Sequence, residues 1–87
     1  MDIVNWVYIL ASARNGTLYI GSTSHLLARL AEHRSGKGSK FVTKYGVLTL
    51  VYFEVAGSKD AALHREHQLQ RWRRRWKLEL IETDYPQ

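Results

Sequence analysis

Two runs near the start of the chain are aromatic and β-branched, Trp6-Val7-Tyr8-Ile9-Leu10 and Thr17-Leu18-Tyr19-Ile20, with Ser12-Ala13-Arg14-Asn15-Gly16 between them. Such residues favour extended, half-buried backbone, and an Asn-Gly loop turns one strand back on the other, so the pattern predicts a β-hairpin. With a symmetric loop, Ala11 faces Gly16 and Tyr8 lies opposite Tyr19, both rings on one face of the sheet. From Ser24 to Arg34 the period becomes helical. Leu26, Leu27 and Leu30 form its apolar side, His25, Arg29, Glu32 and His33 its polar side, and Ser22-Thr23-Ser24 supplies N-cap candidates. Ser35-Gly36-Lys37-Gly38-Ser39 reads as a basic loop, and Lys40 to Tyr45, stopped by Gly46, as a short helical turn. The run from Leu48 to Val55 is largely apolar, which predicts a third, central strand. A second helix is expected from Ser58, its N-cap, through Leu69 and Trp72 towards Trp76. At ~100° per residue Ala62, Glu66, Leu69, Arg73 and Trp76 share one stripe, which puts a carboxylate within or beside an apolar face. A last short helix is expected over Lys77 to Ile81.

Composition excludes several classes. The 87 residues have room for one modest core, so a single domain over 1–87 is expected. A 45% hydrophobic content excludes a disordered basic tail. The absence of cysteine removes disulfides, thiolate metal sites and Cys nucleophiles. No apolar run approaches the ~20 residues of a membrane span, and the start lacks the basic-then-apolar pattern of a secretory leader, so a cytoplasmic protein with no membrane partner is expected. Thirteen Lys and Arg against eight Asp and Glu leave a formal charge of +5, which favours a polyanionic partner.

Val7-Tyr8-Ile9 and Tyr19-Ile20-Gly21, followed by Thr23, Leu27, Arg29 and His33, resemble the two motifs and first helix of the GIY-YIG nuclease family. The likeness continues through Lys44-Tyr45-Gly46, the Leu50-Val51-Tyr52-Phe53-Glu54 strand, Arg65-Glu66 in the long helix and the stretch from Trp72 to Lys77. It is most similar to the small, single-domain bacterial members. The resemblance implies an α+β fold, a three-stranded antiparallel β-sheet flanked by helices in the order β-β-α-β-α-α. It implies a divalent-metal-dependent endonuclease that hydrolyses DNA phosphodiester bonds with Mg²⁺ or Mn²⁺. Position by position, it implies Tyr8, Tyr19, Arg29, His33 and Glu66 as the catalytic group and Glu66 as the metal carboxylate. The sequence departs from the family at Val7, where the name-giving Gly stands, and in its C-terminal tail, which lacks the Asn that many members carry; Asp84 or the Lys77 region is the candidate replacement.

The residue types suit those roles on chemical grounds. Hydrolysis of a phosphodiester needs an activated water, a cation at the developing charge, and donors that fix the phosphate. Arg29 suits the last task, because its planar fork holds two phosphate oxygens and keeps its charge. A lone carboxylate such as Glu66 suits Mg²⁺, which takes one or two protein carboxylates and completes its shell with water and substrate oxygens. A salt bridge from Glu66 to Arg29, Arg65 or Arg73 is the alternative, and the two are compatible in metal-free protein. An unperturbed phenol titrates near 10 and is a poor base, so Tyr8, the base that the resemblance implies, needs help from a metal or from Arg29. The resemblance implies that Tyr19 and His33 orient water or phosphate, while His33, which titrates near neutrality, is itself an alternative base.

Arg71-Trp72-Arg73-Arg74-Arg75-Trp76-Lys77 interleaves five cations with two indoles. On one helix the tryptophans would face the core while Arg71, Arg74, Arg75 and Lys77 fan over a phosphate backbone. Lys37, Lys40 and Lys44 form a second basic segment for nucleic acid. His64 and His67 flank Glu66 on the long helix but lack a third ligand and do not share its face, which weighs against a transition-metal site. With no room for a separate DNA-reading domain, low sequence specificity or selection of branched, nicked or single-stranded DNA is expected, as a monomer or a homodimer, with RNA as the competing substrate. The alternative from another class is a nucleic-acid-binding module that kept the fold but is catalytically weak or inactive.

Overall fold

β1 (Asn5–Ala11) is the middle strand of a three-stranded antiparallel sheet in the order β2-β1-β3, with β2 spanning Leu18–Thr23 and β3 Thr49–Ala56. Four helices complete the chain: α1 (Leu26–Arg34), α2 (Lys40–Tyr45), α3 (Lys59–Arg71) and α4 (Arg74–Asp84). This computed structural model describes residues 3–84. The architecture is the expected one, with the short α2 inserted before β3.

The third strand is an edge strand and not the central one. The reason lies in β1, whose Val7, Tyr8, Ile9, Leu10 and Ala11 are all buried, so both of its faces need cover. β3 leaves Phe53 and Val55 exposed and tolerates the edge. β1 pairs with β2 as Tyr8↔Gly21, Leu10↔Tyr19 and Ala11↔Leu18. The register thus differs by two residues from a symmetric loop, because Ser12 and Thr17 close the turn: the Ser12 amide donates to the Thr17 carbonyl at 3.0 Å and the Thr17 amide to Ser12 Oγ at 2.9 Å. A shift of two preserves faces, since side chains alternate with period two. Tyr8 and Tyr19 therefore still share a face, as diagonal neighbours.

Each face of the sheet carries its own core. Val7, Ile9, Ile20 and Tyr52 pack under Ala62 and Leu69 of α3, with Trp72, Leu80 and Ile81 at the margin. On the other face Tyr8 and Leu10 pack with Leu30 of α1, Val42 of α2 and Val47. In α1 the inward stripe is half-buried Leu26 with buried Leu30 and His33, spaced i, i+4, i+7, while Leu27 is 83% exposed. His33 thus belongs to the core side and not to the polar side expected for it. The N-cap of α1 is His25, with no side-chain cap, and Thr23 Oγ1 accepts from the His25 amide.

The long C-terminal helix breaks. α3 starts at the expected cap, Ser58, whose Oγ accepts from the Ala61 amide at 3.0 Å, but Trp72 is extended (φ −61°, ψ 148°) and α4 begins afresh. No Gly or Pro marks this site in the sequence. A single rod from Lys59 to Asp84 would run to about 39 Å at 1.5 Å per residue. The body's longest dimension is 37 Å, so such a rod would strand Leu80 and Ile81 in solvent, whereas the break folds them onto the same cluster as Leu69.

Candidate active site

Four of the five residues that the motifs single out meet on the α1 face. Tyr8 runs along β1 with its ring over Gly21 on the neighbouring strand, and a Cβ at Gly21 would lie 2.5 Å from the Tyr8 hydroxyl. Glycine is required there by this close approach, which lets the phenol reach the open edge at β2. The Tyr8 hydroxyl meets His33 Nε2 at 3.0 Å. Tyr19 flanks both, with ring centroids 6.4 Å from Tyr8 and 5.4 Å from His33. Arg29, one helical turn before His33, is half-buried beside them and approaches Glu32 at 3.9 Å.

The charges and burial in this cluster set its protonation. Burial pushes the Tyr8 phenol up to about 12, and Tyr19 adds to the rise; the Arg29 charge and hydrogen bond pull the other way, and Glu66 contributes a last, upward push. At neutral pH Tyr8 is therefore a phenol. His33 is lowered from its ordinary value by burial and by Arg29, against a smaller pull from Glu32, so it is neutral at pH 7. His33 is 2% exposed, and its Nδ1 is buried without a hydrogen-bond partner among the described residues. Gly38 closes over that atom: a Cβ there would sit 2.5 Å from it. The tautomer sets the direction of the bond to Tyr8: with the proton on Nδ1 the phenol donates to Nε2, and with the proton on Nε2 the imidazole donates to the phenol oxygen.

A stability consequence follows for His33. Unfolded, it titrates near 6.5; folded, its pKa is lower, so the unfolded state binds the extra proton first. The contribution is complete above about pH 6.5 and is lost as pH falls through that value towards the folded pKa. Thermal unfolding followed from pH 7.5 to 5 should show a falling Tm, with a shallower slope in His33→Gln; an unchanged slope in the variant would refute this assignment.

Glu66 comes from the opposite face. It stands on α3, over the β2 edge, where side chains alternate so that Ser22 points to α3 while Tyr19 and Gly21 point to α1. Ser22 Oγ donates to Glu66 Oε1 at 2.6 Å, and Gln70 Nε2 donates to Oε2 at 3.0 Å. Gln70 Nε2 also lies 3.5 Å from the Ile20 carbonyl oxygen. Both donors are neutral, and among the described residues no Lys, Arg or His pairs with the Glu66 carboxylate within 4 Å. Arg65, the adjacent cation, turns instead to Glu54 at 3.0 Å. A hydrogen-bonded, half-buried carboxylate with spare lone pairs and no cationic partner fits a hard divalent ion that keeps most of its waters. Ser22 and Gln70 escaped the sequence reading. Gln70 was findable as the i+4 neighbour of Glu66, while Ser22 depends on which face of β2 looks at α3. A cleft of about 630 Å³ opens beside these groups, with Ser22, His25, Arg29, Lys59 and Leu63 among its walls.

The basic segments divide. Lys37, Lys40 and Lys44 are exposed on the loop before α2 and on α2 itself. The C-terminal cations do not form one fan, because the α3–α4 break runs through them. Arg71 is exposed, Arg74 donates to the Gly16 carbonyl and braces α4 against the β1–β2 loop, and Arg75 lies 3.9 Å from Glu79. Lys77 turns inwards, donating to the Gln70 carbonyl at 3.2 Å, and burial lowers its pKa. Trp72 packs on the core, but Trp76 is exposed and meets Trp72 edge-on, contrary to expectation. His64 and His67 are exposed on α3. Asp84 closes α4, and the rest of the tail, 85–87, lies outside the described residues.

Comparison with known proteins decides the family. The model of the GIY-YIG catalytic domain matches residues 4–79. The chain belongs to the GIY-YIG family. It is 37% identical over 78 residues to a UPF0213 protein of Staphylococcus haemolyticus, covering 90% of this chain and 94% of that one. A UPF0213 protein of Clostridium perfringens is 38% identical over 80 residues, 92% of this chain and 85% of the relative. The solution NMR structure of a UPF0213 protein from Bacillus halodurans superposes with a TM-score of 0.56 at 32% identity, covering 92% of this chain and 84% of that one. The sheet and helices are thus those of this small GIY-YIG group, and no helix among the described residues is long and apolar enough to cross a membrane.

Proposed function

We propose that the protein is a divalent-metal-dependent endonuclease that hydrolyses DNA phosphodiester bonds with low sequence specificity or by structure selection. The observation that supports this reading best is the meeting of two half-sites across the β2 edge. Tyr8, Tyr19, Arg29 and His33 approach it from one face, and a carboxylate with no cationic partner among the described residues approaches it from the other.

In this reading Glu66 holds the metal, with Ser22 and Gln70 fixing the direction of its carboxylate. A divalent ion such as Mg²⁺ or Mn²⁺ held by Glu66 would supply positive charge against the negative charge that develops in hydrolysis. Arg29 grips the scissile phosphate through its guanidinium fork. Tyr8 takes the proton of the attacking water as a phenolate, which the Arg29 charge stabilises and to which His33 donates in its Nε2–H tautomer. Tyr19, flanking Tyr8 and His33, orients the phosphate. Lys77, whose ammonium donates to the Gln70 carbonyl, stands in for the Asn that many family members carry. Lys37, Lys40, Lys44, Arg71 and Arg75 supply the sequence-independent attraction to the phosphate backbone, while Arg74 acts chiefly as a brace.

A cleavage assay on plasmid, branched and single-stranded DNA with Mg²⁺ and with Mn²⁺ tests the proposal. Arg29→Ala should lower the cleavage rate by about 10²–10³-fold, the size of effect seen when one donor to a developing charge is removed. Wild-type protein that cleaves no form of DNA with either metal would sink it. Steeply salt-dependent binding without turnover would then identify a nucleic-acid clamp on the same fold.

A further inference from the structure

α2 buries one side chain, Val42, in the cluster of Tyr8, Leu10, Leu30 and Val47. Two of its apolar rings remain in water: Phe41 is 42% and Tyr45 49% exposed. They stand four residues apart on one stripe of the helix, with centroids 4.8 Å apart. Phe41 lies 6.2 Å from Tyr19, and Tyr19 lies 6.4 Å from Tyr8. Tyr8, Tyr19, Phe41 and Tyr45 therefore form a continuous row of rings that begins at the buried phenol and ends in solvent.

The row is held in place rather than draped. Ser39 Oγ caps α2 by accepting from the Phe41 amide, and Gly46, in the left-handed region at φ 62°, ends it so that Val47 can enter the core. A hollow of about 350 Å³ separates Tyr19 and Phe41 from Gln70 and Lys77, so its far wall carries the side chain that holds Glu66. Lys40 and Lys44 occupy the next stripe of α2, and Lys44 Nζ sits 5.4 Å from the Tyr45 ring. Residues 36–46 include three lysines and neither Asp nor Glu.

Isolated exposed rings are ordinary on protein surfaces, but a connected row beside a stripe of one charge has a specific chemical match. The lysines attract a polyanion, and the rings offer flat faces on which bases stack. In B-DNA the phosphates of each strand repeat at roughly 3.4 Å along the axis and the bases are paired and stacked within the helix. The rings here are tilted by 32–48° to one another, so they offer separate faces for single bases and no match to a run of parallel, paired ones. We infer that Phe41 and Tyr45 are a stacking platform for unpaired bases beside the scissile phosphate, making single-stranded DNA segments the preferred substrate. The scissile phosphate is the one assigned to Arg29 above, so the inference builds on the nuclease reading.

Fluorescence anisotropy with a labelled single strand, and with a hairpin duplex of the same sequence, tests the platform in EDTA, where no cleavage occurs. Wild type should bind the single strand more tightly. Phe41→Leu and Tyr45→Leu keep the helix and the apolarity but remove the ring face; each should weaken single-strand binding by about 5- to 150-fold, the equivalent of ~1–3 kcal/mol per stacked base. Because the rings carry no charge, the slope of affinity against salt should stay as in wild type, whereas Lys40→Ala with Lys44→Ala should make it shallower. Phe41→Trp should restore or exceed wild-type affinity. Tighter binding to duplex, or a double leucine variant within twofold of wild type on the single strand, would overturn the inference. Cleavage with Mg²⁺ or Mn²⁺, measured in parallel, separates the two readings. Ring-dependent single-strand binding without cleavage defeats the nuclease alone, and cleavage indifferent to both rings defeats the platform alone.

Discussion

Glu66→Gln should lower Mg²⁺- or Mn²⁺-dependent DNA cleavage by at least about 10³-fold while leaving the fold intact. The substitution removes the charge that holds the cation and keeps the shape. The Gln oxygen still accepts from Ser22 Oγ, and Gln70 restores its own hydrogen bond by turning its amide over. Glu66 is only half-buried and forms no ion pair with a described residue, so the stability change should stay below about 1 kcal/mol. Isothermal titration with Mn²⁺ should lose its signal in the variant. Retained cleavage together with unchanged Mn²⁺ binding would remove Glu66 from the site.

Tyr8→Phe should cost about 10²–10⁴-fold, the span assigned to a general base. The pH profile makes the test sharper than the rate alone. Tyr8 is a phenol up to about 12 in the metal-free protein, so its basic form grows tenfold per pH unit across the neutral and mildly alkaline range. Wild-type cleavage should therefore climb between pH 7 and 9, and Tyr8→Phe should flatten that climb. A profile that keeps its slope in the variant would pass the role of base to His33 or to bulk hydroxide. Gly21→Ala provides a second route to the same group. Its Cβ would press on the Tyr8 hydroxyl at 2.5 Å, and the fully buried ring must tilt to escape. Misplacement of about 1 Å costs ~10²-fold. In the Tyr8→Phe background the added Gly21→Ala should cost little more activity, because both substitutions remove one function.

Much of the fold was legible along the chain because it depends on local pattern. The β1 and β2 runs, the cap at Ser58, the short α2 stopped by Gly46 and the placing of Tyr8 and Tyr19 on one face all follow from side-chain period and turn chemistry, whereas the register between the two strands does not. The motif residues were legible as a set, since their order and spacing survive without knowledge of the fold. What the chain did not reveal depends on which surfaces meet. β3 took the edge because β1 is apolar on both faces. His33 entered the core because the buried stripe of α1 turns by one position, leaving Leu27 outside. The helix after Ser58 broke at Trp72 so that Leu80 and Ile81 could join the core, and this scattered the cations from Arg71 to Lys77 into a brace, an ion pair and an inward donor.

The sequence by itself determined the elements, the family and the five titratable or cationic side chains at motif positions. Only the tertiary structure decided that Glu66, from the opposite face of the sheet, reaches the same β2 edge as Tyr8. It likewise decided that the donors to the Glu66 carboxylate, Ser22 and Gln70, are both neutral, and that Phe41 and Tyr45 continue the row of rings into solvent. Local period is set by bonds between near neighbours and can be read residue by residue. Convergence across a sheet edge is set by packing between segments far apart in the chain, which no local pattern encodes.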